Sequence, residues 1–207
     1  MLAHLPGIEC EEVCIENHQL WEQTKDSYGL PFPSLPFYID EENEVRLTGQ
    51  LAILKYLAVK YQPAMLGRSE DDQGKIEMYA HTIDNFQKIA TKPCYLEGAD
   101  KQAIGDNCLK EVQAFVRVFE AQGASGKFLV GNSVSYPDFM LLELLERIQF
   151  LTDGRLYKEH AILQTYSQNV IALIESYYKT NELFQQRLFN ASEALVNNGG
   201  MWGAKPV

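Results

Sequence analysis

The sequence predicts a small α/β unit followed by an all-helical unit, and three observations carry that expectation. Apolar residues follow short, mixed patterns as far as Gln62-Pro63 and a helical period beyond it. A proline-dense run, Pro31-Phe32-Pro33-Ser34-Leu35-Pro36, excludes helix from the middle of the first part, because each ring fixes φ and disfavours the α region before it. A full helix-start signal, Ser135-Tyr136-Pro137-Asp138, stands in the second part. The expected units are 1–62 and 67–207.

In chain order, Ile8 to Glu16 alternates apolar and acidic residues and reads as a half-exposed strand. Leu20 to Tyr28 is polar around one large aromatic, Trp21, and reads as a loop or irregular helix. Phe37–Asp40 and Glu44–Thr48 read as two strands joined by the turn Asp40-Glu41-Glu42-Asn43. Thr48 is placed to cap a helix whose apolar positions are Leu51, Leu54, Leu57 and Ala58. Later helices are expected at about 70–92, 103–122, 136–151, 159–178 and 181–195. In the helix-start signal Ser135 caps, Asp138 reaches back, Pro137 suits the first turn, and Val134 and Phe139 are spaced for a hydrophobic staple. FMLLELLERIQFL is apolar around most of its circumference, which predicts a central, buried helix.

Composition removes whole classes of function. Of 207 residues, 46% are hydrophobic and 22% charged, the balance of a globular chain. Acids outnumber bases 28 to 18, for a net charge of −10, and residues 1–62 alone carry ten acids against four bases. Such a surface repels phosphate backbones and anionic lipid, so nucleic-acid and membrane-surface roles are not expected. No apolar run approaches the ~18 residues of a membrane span, and residues 1–7 lack the basic flank of a signal peptide. A cytoplasmic protein is the expectation. Four cysteines, Cys10, Cys14, Cys94 and Cys108, have no zinc-site spacing. On one strand Cys10 and Cys14 would lie ~13 Å apart, too far for a disulfide. Free thiols and no metal site are expected. Neither GxGxxG nor GxxxxGK(S/T) occurs, and the four histidines show no catalytic spacing.

Two blocks carry a resemblance. Phe32-Pro33-Ser34-Leu35-Pro36-Phe37-Tyr38-Ile39-Asp40, with Leu47-Thr48 leading into Ala52-Ile53-Leu54-Lys55-Tyr56-Leu57-Ala58, resembles the glutathione-binding half of cytosolic glutathione transferases, the mu class above all. Phe128-Leu129-Val130-Gly131-Asn132 to Ser135-Tyr136-Pro137-Asp138-Phe139 resembles the capping-box segment of that family's helical half. The resemblance implies a thioredoxin-like domain that binds glutathione, an all-α bundle that holds the electrophile, and a homodimer. It implies glutathione as substrate, small apolar electrophiles as its partners, and no cofactor. Trp21 and Lys25 match residues that meet the glycine end of glutathione, Lys25 by offering an ammonium to the carboxylate. Leu35-Pro36 matches a leucine before a cis-proline, whose turned backbone would pair with cysteinyl glutathione like an added strand. Asp84 matches the acid that reaches the γ-glutamyl amine across the dimer, and Tyr95 a tyrosine that faces the electrophile.

This sequence also departs from the family pattern. A Gln-Ser pair at a helix N-terminus, which receives the γ-glutamyl carboxylate, is replaced by Gly49-Gln50; the helix end remains and the hydroxyl does not. Ser34 stands for an asparagine and His18 for an arginine. The chain opens at what corresponds to the middle of the family's first helix, so the implied thioredoxin-like domain is incomplete. The first strand, expected ~15–20 residues earlier, would carry the tyrosine that lowers the thiol pKa of glutathione. No catalytic residue is assigned in this chain. The expectation is a glutathione transferase, and the alternative is a catalytically silent binding or structural relative. If a first strand is absent, three alternatives stand: residues 8–16 pair with 37–40, the first unit is loose, or the sequence is an incomplete gene model or splice form.

Overall fold

The computed structural model describes residues 17–123 and 126–175, together with Leu5, Ile8, Cys10, Glu11, Val13, Ile15, Lys179 and residues 194–196. Asn17 starts the first helix, α1 (His18–Thr24), by accepting the Leu20 N–H on its side-chain oxygen at 2.9 Å. A 3-10 turn, Lys25–Tyr28, continues α1 and closes at Gly29, whose φ of +62° is open to a residue without Cβ. The irregular helix expected over Leu20–Tyr28 is thus a helix followed by a tighter turn.

After the proline run, β1 (Phe37–Asp40) and β2 (Val45–Thr48) form an antiparallel hairpin with Phe37 opposite Thr48 and Asp40 opposite Val45. Asp40 shapes the turn, accepting both the backbone and the side-chain amide of Asn43. Thr48 does not cap the next helix. It stays in the strand, paired with Phe37, and the N-cap of α2 (Gln50–Tyr61) is Gly49, at φ +86°. The expected strand over residues 8–16 is also corrected: Ile8, Cys10, Glu11, Val13 and Ile15 are in no strand, and the sheet among the described residues is β1 and β2 alone. Alternation there does not suffice, because a strand needs a neighbour to take its backbone groups.

Beyond the 3-10 turn Pro63–Leu66, helices dominate. Ser69 caps α3 (Glu70–Thr91) on the Asp72 N–H, and Glu70, Asp71 and Asp72 complement the positive end of its dipole. Ile76, Ala80, Ile83, Phe86 and Ala90 bury one stripe of α3 at helical spacing. The single helix expected over 103–122 is two, α4 (Lys101–Glu111) and α5 (Gln113–Gln122). They meet at Val112, where Phe115 N–H bonds Val112 C=O, three residues back instead of four. The helix expected from about 159 starts at Ala161, as α8 (Ala161–Leu173), and a short helix absent from the expectation, α7 (Arg155–Glu159), precedes it across His160. The expected helix 181–195 lies outside the described residues except at 194 and 195, which are not helical.

At the centre is α6 (Tyr136–Leu151), in the place the Ser135-Tyr136-Pro137-Asp138 signal predicts. Asp138 is fully buried, and its carboxylate accepts from Ser135 N–H and Oγ–H, Leu129 N–H and the Tyr166 hydroxyl. Burial pushes this carboxyl upward while those donors hold it down. One carboxylate therefore ties the helix start to the preceding loop and to α8. Against the other end of α6, Gly105 of α4 packs so closely that a Cβ would meet the Leu151 carbonyl oxygen at 2.6 Å. Cys94 and Cys108 are buried free thiols in this core and Cys10 is an exposed one, whereas Cys14 lies outside the described residues.

Candidate functional site

The hairpin brings distant residues of the sequence together. Because Phe37 pairs with Thr48, the residues flanking them, Pro36 and Gly49, become neighbours, and Gly49 N–H donates to Pro36 C=O at 3.0 Å. That bond sets the exposed segment Ser34-Leu35-Pro36 beside the N-terminus of α2, at Gly49-Gln50. The Leu35–Pro36 peptide is cis and the Leu35 side chain half exposed. No side chain caps the start of α2, and nothing lies within 4 Å of where a Gly49 Cβ would be. The first-turn N–H groups of a helix have no partners within the helix and present a positive dipole end. An exposed main-chain edge beside a helix start can accept a short peptide and a carboxylate.

Trp21 completes one wall. It is buried and stacked at 5.9 Å on Phe37, the first residue of β1, and at 6.2 Å on Tyr28. Tyr28 in turn lies 4.6 Å from Phe37, so three aromatic rings lock α1 and its turn onto the hairpin. Arg46 adds a polar fastening: its Nε donates to Tyr28 C=O at 3.2 Å and its guanidinium spans both oxygens of Glu41. Lys25 lies one turn after Trp21 with its ammonium on Glu22 at 2.6 Å. This contact holds the Glu22 carboxyl below its ordinary range and the Lys25 ammonium above its own.

The sequence-predicted residues thus divide. Trp21, Leu35, Pro36, Gly49 and Gln50 gather around the start of the hairpin and of α2, and Ser34 borders them. Lys25 shares the Trp21 side of its helical segment. Asp84 and Tyr95 belong instead to the helical layer. Asp84 is on α3 in an i,i+4 pair with Lys88 at 2.6 Å, and Tyr95 ends the 3-10 turn Lys92–Tyr95, partly exposed, beside the buried Cys94. The backbone carbonyl of Cys94 accepts from both Leu195 and Val196 N–H, which brings that late segment against the same turn. Sequence reading missed Tyr28, Phe37 and Glu22 as parts of the site. Only Glu22 left a signal, its i,i+3 spacing from Lys25.

Comparison with known proteins finds likeness to one family. The family model described as the C-terminal domain of glutathione S-transferase matches residues 83–181. A class-mu 26 kDa glutathione S-transferase isozyme of Schistosoma mansoni is 31% identical over 127 residues, covering 61% of this chain and 62% of the relative. This chain is similar to the cytosolic glutathione transferases, mu-class members among them. A further transferase relative, a glutathione S-transferase of Tyrophagus putrescentiae, is 27% identical over 179 residues, covering 86% of this chain and 78% of its own length. The crystal structure of the glutathione S-transferase Blo t 8 matches the fold with a TM-score of 0.75 at 20% identity, covering 87% of this chain and 83% of that one. The match to the schistosome transferase spans less than two thirds of that relative's length. The transferase fold accounts for the two-strand hairpin flanked by helices and for the helical bundle built around α6. Among the described residues, no group of histidines, cysteines and acids could hold a metal ion, and no helix is long and apolar enough to cross a membrane.

Proposed function

We propose that this chain is a glutathione transferase that conjugates reduced glutathione to small hydrophobic electrophiles. The observation that carries the reading is the junction of Leu35-Pro36 with Gly49-Gln50: an exposed backbone edge beside an uncapped helix start. In this reading Leu35 pairs its main chain with the cysteinyl residue, and Ser34 and Pro36 shape that edge. Gly49 and Gln50 receive the γ-glutamyl carboxylate, Gln50 donating through its amide where the family has a hydroxyl. Trp21 and Lys25 hold the glycine end. Asp84 reaches the γ-glutamyl amine of the opposite subunit in a homodimer, and Tyr95 faces the electrophile. These residues place the peptide, and none of them is assigned to activating its sulfur. Glutathione is the substrate, with no cofactor, and the setting is cytoplasmic and detoxifying.

The purified full chain incubated with glutathione and a chlorodinitrobenzene-type acceptor tests this. Turnover, with retention on a glutathione column, is the expected result. Retention without turnover assigns the chain to a binding role on the same scaffold, the reading favoured by the missing hydroxyl at Gly49-Gln50. Absence of both retention and turnover overturns the glutathione reading.

A further inference from the structure

Residues 17–62 contain four lysines and arginines, and all four are already ion-paired. Lys25 holds Glu22 at 2.6 Å, Arg46 holds Glu41 at 2.8 Å, Lys55 holds Glu77 at 2.9 Å, and Lys60 holds Asp40. Two of these pairs tie elements together: Lys55 joins α2 to α3, and Lys60 joins α2 to β1. Arg46 ties β2 to the hairpin turn and, through Nε, to Tyr28. The Lys25 pair ties nothing to anything, since Glu22 and Lys25 lie three residues apart on one continuous helical segment.

Its position is the informative part. Lys25 N–H donates to Trp21 C=O, so the two side chains share a face of that segment, the face that Trp21 packs on Phe37 next to Pro36. A carboxylate arriving at this wall meets a lysine that is already engaged. The ammonium has three donors but a single charge, so the newcomer gains that charge in full only by displacing the resident carboxylate. We propose that Glu22 is a built-in competitor for the ligand, holding Lys25 in the unliganded chain and giving it up to the glycyl carboxylate of the incoming peptide. The inference rests on the glutathione reading above and goes beyond it by giving Glu22 a function of its own.

Physical chemistry favours such an exchange. One carboxylate replaces another on the same ammonium, so charge and hydrogen bonding at Lys25 are conserved. Glu22 has 45% of its side chain exposed and returns to water at little cost, whereas Lys25, at 31%, is the more enclosed partner. His18 Nε2 already lies 3.8 Å from Glu22 on the preceding turn of the same helix. The contribution of the ligand carboxylate is therefore damped by the pair it must break. Exposed pairs of this kind are worth about two- to fivefold in an equilibrium constant.

Calorimetric titration of the full chain tests this, with reduced glutathione and with its analogue in which the glycyl carboxylate is a carboxamide. Four proteins are compared: wild type, Glu22→Gln, Lys25→Gln and the double variant, each checked for native circular dichroism. Glu22→Gln is expected to bind reduced glutathione about two- to fivefold more tightly while leaving the amide unchanged, so that preference for the acid rises. Lys25→Gln should abolish that preference, and the double variant should behave like Lys25→Gln alone. Glu22→Ala repeats the test should Glu22→Gln lose native structure. Equal shifts for acid and amide, no shift in glutathione affinity, or a gain that persists without Lys25 overturns the inference and leaves glutathione binding intact. Absence of heat from both peptides in all four proteins overturns the glutathione reading and this inference with it.

Discussion

The hairpin β1–β2 and the central helix α6 are held in opposite ways. Thirteen of the sixteen residues of α6 are buried, including a carboxylate with four donors, and neighbouring helices pack on it from several sides. All eight hairpin residues are only half-buried, and Asp40–Lys60, Arg46–Glu41 and the Trp21–Tyr28–Phe37 rings fasten them. A main-chain edge that is to receive a peptide has to stay accessible, so it cannot also be core. Its position is then set by contacts at its margins, and the stability of the whole comes from elsewhere.

The sharpest way to break this contrast is at α6. Asp138→Ala leaves three donors unmet in a dry interior, Tyr166 keeping the backbone carbonyl of residue 138. It is expected to cost about 3–5 kcal/mol, at about 1–3 kcal/mol for each unmet group. Urea unfolding followed by circular dichroism measures it, and a cost below 1 kcal/mol would contradict the central role given to this carboxylate. Gly105→Ala comes next. The added methyl meets the Leu151 carbonyl and should cost about 1–3 kcal/mol by the same measurement, whereas Gly74→Ala, with open space around it on α3, should cost nothing. Tyr136→Phe removes only the hydroxyl that donates to Glu77 at 3.1 Å, for an expected loss of about 0.5–1.5 kcal/mol.

The smallest effect belongs to the hairpin and depends on pH. Lys60, and then Asn43, depress the Asp40 carboxyl from 3.8 to about 2. A carboxyl depressed on folding adds stability above its ordinary pKa and loses it as pH falls towards the folded value. The melting temperature of wild type should therefore exceed that of Asp40→Asn at pH 6, with the gap closing between pH 4 and pH 2. A gap that stays constant would show that the pair contributes nothing through charge. The contrast extends to thiol chemistry: burial pushes Cys108 to about 12, and an aromatic disulfide reagent at pH 8 should leave it unmodified while exposed Cys10 reacts.

Much of this was legible in the chain. Helix periodicity placed α3 and α6 nearly to the residue, since a long buried stripe and a start signal are local properties. The hairpin strands were legible for the same reason. Alternation over residues 8–16 misled, because pairing partners are not written into a strand. The division at Val112 escaped, since apolar spacing runs through it, and the five-residue α7 escaped because it is too short to show a period. At the site, Leu35-Pro36 and Gly49-Gln50 were named through family resemblance. Their adjacency follows from a register that only the paired strands define.

By itself the sequence determined the order of units, the central burial of α6, the acidic surface and the absence of helix around the prolines. Each of these depends on neighbours within a turn or two of the same chain. Only the tertiary structure decided that Gly49 and not Thr48 opens α2, that Gly49 bonds Pro36, and that Asp138 gathers Leu129 and Tyr166. These are contacts of shape and charge whose partners, or whose geometry, are fixed when separate elements pack together.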